Sequence, residues 1–314
     1  MKAVVYNKSN TPTAFRYCEV EKPVPQKGEV LVKVHAVSLN AADYRSMRMG
    51  NIPKHKIFGA DISGVVESVE NDITRFKPGD AVFGDLADHG FGGLAEYVTA
   101  PERLLALKPS GVSHEVAATL PIAALTALQA LRDKGELQRG QKLLIYGAGG
   151  GVGNFAVQLA KYYGAKVTAV CGPHNVELIR SLGADQVIDY IEEDIFKRDE
   201  RFDLILAVNG SHPLGVYKRA LTSKGICVMV GGSLTQVILA LLFGWLLSIG
   251  GRKMRTLAAR PNPKDLELLI KLVKEGTLKP SIDRRYPLEE APEAMQYISQ
   301  GHAHGKVIIT VVPV

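Results

Sequence analysis

The sequence predicts an α/β chain in which a doubly wound parallel sheet is set between β-rich ends. Three observations predict it. Lys142 to Gly153, KLLIYGAGGGVG, reads as a short buried strand broken by glycines that lead straight into a stretch of helical spacing, Asn154 to Lys161. Strand and helix patterns then alternate through the middle of the chain, as a parallel sheet requires. The residues on either side of that middle carry short runs of period two.

Taken in order, Glu29 to Val37 alternates apolar and polar positions, Gly59 to Val69 carries a second strand around Gly64, and Lys77-Pro78-Gly79-Asp80 is a turn before Ala81-Val82-Phe83-Gly84. From Ser113, a simple N-cap, the period changes, and Pro121 to Leu131 has helix-forming composition. After the glycine turn comes a strand over Lys166 to Val170, which completes a βαβ unit of about 30 residues. The pattern continues with a helix over His174 to Leu182, strands at Gln186 to Tyr190 and Leu204 to Val208, a helix over Gly215 to Leu221 and a strand at Ile226 to Val230. Lys264 to Glu275 is an amphipathic helix with Leu266, Leu269, Ile270 and Val273 on one face. Pro292 to Gln300 is helical, and Lys306 to Val311 is the last strand.

The glycines of the central turn point to chemistry. They let backbone approach a pyrophosphate closely, while the free N–H groups of the following helix and its dipole face the anion. The spacing is Gly147-x-x-Gly150-x-x-Gly153.

Composition excludes other classes. With 314 residues and 46% apolar content, the chain has material for two soluble domains. The start, Met1-Lys2-Ala3-Val4-Val5-Tyr6, is strand-like and has no signal-peptide pattern, so a cytoplasmic protein is expected. Cys18, Cys171 and Cys227 are odd in number and lack C-x-x-C spacing, which suggests neither a disulfide framework nor a structural zinc site. The net charge of +6 is spread without a block of like charges, so nucleic acid is not expected as a main partner.

Several ordered motifs carry a resemblance that spans essentially the whole chain. They are Val32 to Asp43 (VKVHAVSLNAAD), Gly59 to Val66 (GADISGVV), Gly93 to Val98 (GLAEYV), Leu120-Pro121 with Leu125-Thr126-Ala127, Gly147 to Gly153, Leu182 to Asp185 with Val187 to Tyr190, and Gly305-Lys306-Val307. The chain resembles a medium-chain dehydrogenase/reductase of the zinc-independent quinone oxidoreductase (zeta-crystallin-like) type. The resemblance implies a GroES-like β-barrel catalytic domain from residues 1–121 and 261–314, a Rossmann NADP-binding domain over 122–260, an active site in the cleft and a homodimer.

Zinc-dependent relatives place a cysteine ahead of the aspartate and a Gly-His-Glu in the next strand. Here Asn40 precedes Asp43, and the next strand opens Gly59-Ala60-Asp61. Asn is a poor zinc ligand and Ala is none, so no metal is expected. His302 and His304 read as solvated or hydrogen-bonded.

At the end of the second Rossmann strand, where NAD enzymes hold a carboxylate against the ribose, the chain reads Cys171-Gly172-Pro173-His174-Asn175. That favours NADPH. The resemblance implies cofactor contacts at Thr126, Gly147, Gly149, Gly150, Gly151, Val152, Gly153, Gly172, His174, Tyr190, Gly231 and Lys306. The chain departs from relatives at Gly172, Asn175 and Asn209, and Arg180 is a possible substitute for the missing lysine.

The implied reaction is hydride transfer to a quinone, or to the β-carbon of an enal or enone, which leaves a negative oxygen that needs hydrogen-bond donors. Asn40 and Tyr44 are the candidate catalytic donors. An enoyl-type reductase is the rival within the class. The rival outside it is an NADPH sensor or nucleic-acid-associated binder with little turnover. Residues 237–249 form an apolar run too short to span a bilayer, which takes about 20 residues. They read as a buried helix or, with Arg252, Lys253 and Arg255 following, as a peripheral membrane contact.

Overall fold

The computed structural model describes residues 1–7, 14–53, 55–208, 210–231, 251–301 and 303–312. The chain forms two compact units, one of Met1–Leu125, Pro261–Gly276 and Pro280–Val314, the other of Thr126–Arg260 and Thr277–Lys279. The apolar run 237–249, Asn209 and His302 lie outside the described residues.

The first unit opens with an antiparallel pair, β1 (Lys2–Tyr6) and β2 (Phe15–Glu19). Its main sheet is built on the long β3 (Glu29–Leu39), followed by helix α1 (Ala41–Arg48), β4 (Asp61–Val69), β5 (Ala81–Asp85), β6 (Tyr97–Pro101) and β7 (Leu105–Leu107). The alternation read in β3 places Val30, Val32, Val34 and Val37 in one apolar core with Ile62, Val66, Leu94 and Leu105. Helix α2 (His114–Ala118) starts at Ser113, whose side chain accepts the Val116 N–H at 3.2 Å, the cap expected there. Helix α3 (Pro121–Gln129) follows, and a single π-helical turn, Ala130–Lys134, continues it. The units divide within α3, after Leu125.

The second unit contains β8 (Lys142–Tyr146), α4 (Gly151–Tyr162), β9 (Lys166–Cys171), α5 (Val176–Ser181), β10 (Gln186–Asp189), β11 (Phe202–Ala207), α6 (Leu214–Arg219), β12 (Leu221–Met229) and β13 (Lys253–Thr256). All six strands are parallel, in the order β10-β9-β8-β11-β12-β13. This is the doubly wound order 3-2-1-4-5-6, whose direction reverses between β8 and β11. Buried Leu143, Leu144, Ile145, Leu204, Ile205 and Leu206 fill the two central strands. Such continuous apolar runs are what a sheet covered on both faces demands.

Two local readings change. Leu221, read as the end of a helix, instead opens the nine-residue β12. Lys253 and Arg255, read as a basic flank, lie in the edge strand β13, where the Arg255 guanidinium donates to the Lys134 carbonyl at 2.6 Å and to Glu136 at 2.7 Å. Arg252 donates to the Leu221 and Thr222 carbonyls. The Arg252 and Arg255 guanidiniums are thus engaged with the protein. Among the described residues, no helix is long and apolar enough to cross a membrane.

The return runs through Arg260, whose backbone exchanges two hydrogen bonds with the Gln129 side chain. Asn262 caps α7 (Pro263–Lys274) by accepting from the Lys264 and Asp265 N–H groups. This helix buries Leu266, Leu269, Ile270 and Leu272, each contributing roughly 1.5–3 kcal/mol of apolar burial. Then come β14 (Ile282–Pro287), α8 (Ala291–Ser299) and β15 (Lys306–Thr310). The first unit's sheet is thereby completed in the order β14-β15-β3-β4-β5-β7, with β6 also on β3.

Candidate active site

The glycine turn leaves β8 at the point where the strand order reverses. Gly147 has a φ of 94°, a left-handed conformation that a side chain resists. At Gly153, a Cβ would meet the Gly147 carbonyl oxygen at 2.3 Å and the Ala148 Cα at 2.6 Å, so only glycine lets α4 approach the turn this closely. Gly150 is the N-cap of the 12-residue α4, and no side chain caps it. The N–H groups of Gly151, Val152 and Gly153 therefore open the helix with its dipole behind them. From α4, the Asn154 amide braces the turn by donating to the Gly149 and Gly150 carbonyls. This cradle fits a dinucleotide pyrophosphate.

The remaining residues assigned to the cofactor divide into two sets. Gly172 follows β9 and Tyr190 follows β10, and the Tyr190 hydroxyl lies 3.1 Å from where a Gly172 Cβ would stand. A larger residue at 172 would have to displace that ring. His174 is exposed in the turn Pro173–Asn175, and the Asn175 side chain packs against Gly149. Arg180 is bonded to Glu177 on its own helix. Gly231 follows β12, where a Cβ would meet the Val208 carbonyl oxygen at 2.5 Å. Gly172, His174, Tyr190 and Gly231 follow the carboxyl ends of the parallel strands, where open α/β sheets bind ligands. Thr126 is buried on α3.

Lys306 departs from this set. It belongs to the first unit, only 3% exposed, where its ammonium donates to Asn40 Oδ1 at 2.5 Å and to the Leu39 carbonyl at 3.5 Å. Asp61 Oδ2 lies 3.6 Å from the same nitrogen. The register of β15 on β3, Val307 opposite Leu39, brings Lys306 alongside Asn40. Its side chain is thus held inside the first unit.

Asn40 is likewise fully engaged. Its Nδ2 donates to Asp61 Oδ2 at 2.8 Å and to the Ser38 carbonyl at 3.1 Å, and its Oδ1 accepts from Lys306. The amide cannot be turned round, because Nδ2 would then face an ammonium. Both amide donors of Asn40, expected from the resemblance to serve a substrate oxygen, are engaged by the protein itself. Tyr44, half-buried on α1, keeps its donor. Its ring lies beneath the Arg45 and Arg48 guanidiniums, and its hydroxyl makes no hydrogen bond among the described residues.

Sequence reasoning missed the acidic neighbours. Asp43 Oδ2 accepts the Asn40 N–H at 2.8 Å and Oδ1 the Gly59 N–H at 3.1 Å, while Asp85 Oδ1 accepts the Ala87 N–H at 2.8 Å. Burial pushes the Asp43 and Asp85 carboxyls up to about 6. Burial also drives Asp61 upward and Lys306 downward, and each opposes the other's shift by its charge. Asp61 makes only accepting contacts and Lys306 only donating ones, the pattern of an ion pair. Among the described residues, no group of three or more His, Cys, Asp or Glu is placed to hold a metal ion.

The sequence places this architecture among known proteins. Residues 26–110 match the family model described as an alcohol dehydrogenase GroES-like domain, and residues 182–309 match that of a zinc-binding dehydrogenase. A chloroplast envelope quinone oxidoreductase homolog of Arabidopsis thaliana is 35% identical, over 98% of both chains. The chain belongs to the quinone oxidoreductase-like medium-chain dehydrogenases/reductases. Another relative in this family, the mitochondrial NAD(P)H oxidoreductase RTN4IP1 of Mus musculus, is 34% identical over 90% of this chain and 82% of its own. The solved quinone oxidoreductase of Coxiella burnetii superposes with a TM-score of 0.90 at 31% identity, over 99% of both chains. Family membership makes the protein an NAD(P)H-dependent oxidoreductase.

Proposed function

We propose that the protein transfers a hydride from NADPH to a quinone or to the β-carbon of an enal or enone, without a metal ion. The observation that carries this reading is the content of the positions that hold zinc in zinc-dependent relatives. Here they are Asn40, Ala60 and Asp61, and a lysine ammonium is bonded among them. A fixed internal cation serves where a metal would otherwise be needed to balance the buried aspartate.

The reduced nicotinamide, when bound, supplies the hydride. The first turn of α4 holds the pyrophosphate, and Gly172, His174 and Tyr190 receive the ribose phosphate, with no carboxylate from Cys171 to Asn175 to repel it. Tyr44 donates its phenolic proton in a hydrogen bond to the oxygen that gains charge as the acceptor is reduced, and Asn40 keeps the start of α1 in place.

The test is oxidation of NADPH and of NADH, with and without EDTA, against a panel of quinones, enals and enones. Turnover that resists EDTA and prefers NADPH supports the reading, and the best acceptor names the substrate class. Tight NADPH binding with no turnover of any acceptor would leave a nucleotide-binding protein in place of an enzyme.

A further inference from the structure

Lys306 and Asp61 form a buried ion pair that the reaction as described does not use. Asp61 is wholly buried in the first residue of β4, and its two oxygens have different clients. Oδ2 accepts the Asn40 amide, and Oδ1 accepts the Ile122 N–H at 3.0 Å. Ile122 is the second residue of α3, so its N–H is one of the orphan donors at that helix's start. The residue before Pro121 is Leu120, which has no side-chain acceptor. A carboxylate from a distant strand therefore caps the helix, with its negative charge at the positive end of the dipole.

We propose that Lys306 is a positioning residue for the reaction: acting through Asp61 and Asn40, its buried ammonium fixes the start of α3 and, through Asn40, the start of α1, which bears Tyr44. The inference rests on the functional reading above and deepens it. A lysine suits the task because its three donors meet the three acceptors grouped there, Asn40 Oδ1, the Leu39 carbonyl and Asp61. Without the ammonium, Asp61 is a buried, uncompensated charge whose cheapest response is to take up a proton. A protonated Asp61 has one acceptor oxygen fewer to share between Asn40 and Ile122, so one of the two loses its partner. Asn40 would also lose the charge that orients its amide. The disturbance then reaches Tyr44 through Asn40, the N-cap of α1, and the start of α3 through Ile122.

Two readouts test this, one independent of turnover. Lys306→Met is expected to lower kcat about tenfold or more while leaving the NADPH Kd within about twofold. Lys306→Arg, which keeps the charge, is expected to recover most of the loss. Asp61→Asn should resemble Lys306→Met, and the double variant should be no slower than the slower single, because both act on one linkage. Hydrogen exchange of the peptide containing Ile122 should quicken in Lys306→Met and Asp61→Asn and stay slow in Lys306→Arg. If Lys306→Met does not fold, the double variant, which leaves no charge unpaired, carries the comparison with Asp61→Asn and the wild type. Losses that multiply, or a lower melting temperature with wild-type kcat and wild-type Ile122 exchange, would overturn the proposal. A wild-type protein that reduces no acceptor would sink the functional reading alone, since the exchange comparison still decides whether Lys306 holds α3.

Discussion

Individual side chains in the first unit carry the most specific consequences. Tyr44 has the unspent donor, so Tyr44→Phe should reduce kcat by about tenfold or more, with NADPH binding unchanged, as loss of one donor to a developing oxyanion does. A kcat within twofold of wild type would remove Tyr44 from that role. Asp85 gives a separate expectation about stability. Its folded value of about 6 lies above the ordinary carboxylate value of 3.8, so between the two the folded chain keeps a proton that the unfolded chain has released. Stability contributed by this group therefore falls as pH rises through that window and is flat above it. Asp85→Asn retains an acceptor for the Ala87 N–H and removes the buried charge. Denaturant unfolding at pH 7.5 should show it more stable by on the order of 1–3 kcal/mol, with the gain gone near pH 4. A less stable variant at pH 7.5 would contradict the burial argument. Asn40, Tyr44 and the cradle glycines could be named from sequence because each sits in a local motif. The tie between Lys306, Asn40 and Asp61 could not, because it arises only when the last strand pairs with β3, and neither segment signals the other.

At the level of elements, periodicity revealed strands that are apolar throughout and helices that are amphipathic. β8, β11 and α7 are the clearest cases, each set by burial on a known face. The misses have a physical pattern. β13, Lys-Met-Arg-Thr, is an edge strand with only Met254 buried, so nothing in its composition announces a sheet. Leu221 opens β12 although one apolar residue fits the period of the preceding helix equally well. Within the cradle, the glycines differ in consequence. Gly153→Ala would press a methyl against the backbone of Gly147 and Ala148, which cannot yield without deforming the turn. Gly149→Ala meets the end of the Asn175 side chain, which can swing aside. Fluorescence titration should therefore show NADPH affinity lost by at least about tenfold in Gly153→Ala and by much less in Gly149→Ala. The reverse order would mean that the turn is not the pyrophosphate cradle.

Across the whole molecule, the α/β class was legible because two periodicities occupy separate stretches of the chain. Strands of period two build the first unit and alternating strands and helices build the second. Of the motifs that carried the resemblance, Gly147 to Gly153 and Val187 to Tyr190 fall at the carboxyl ends of parallel strands, and others fall at the starts of α1, β4, α3 and β15. What sequence could not supply was the direction of the polar contacts, which tie Lys306 to Asn40 and Asp61 and engage both amide donors of Asn40. The central claim is metal-free hydride transfer, and isotope transfer tests it most directly. Protein stripped of metal by EDTA would be given NADPH deuterated at nicotinamide C4, on the transferring face, and an enone acceptor, and the product analysed by mass spectrometry. The expected result is deuterium on the β-carbon at an undiminished rate. A product without deuterium, or turnover that returns only when zinc is added, would contradict it.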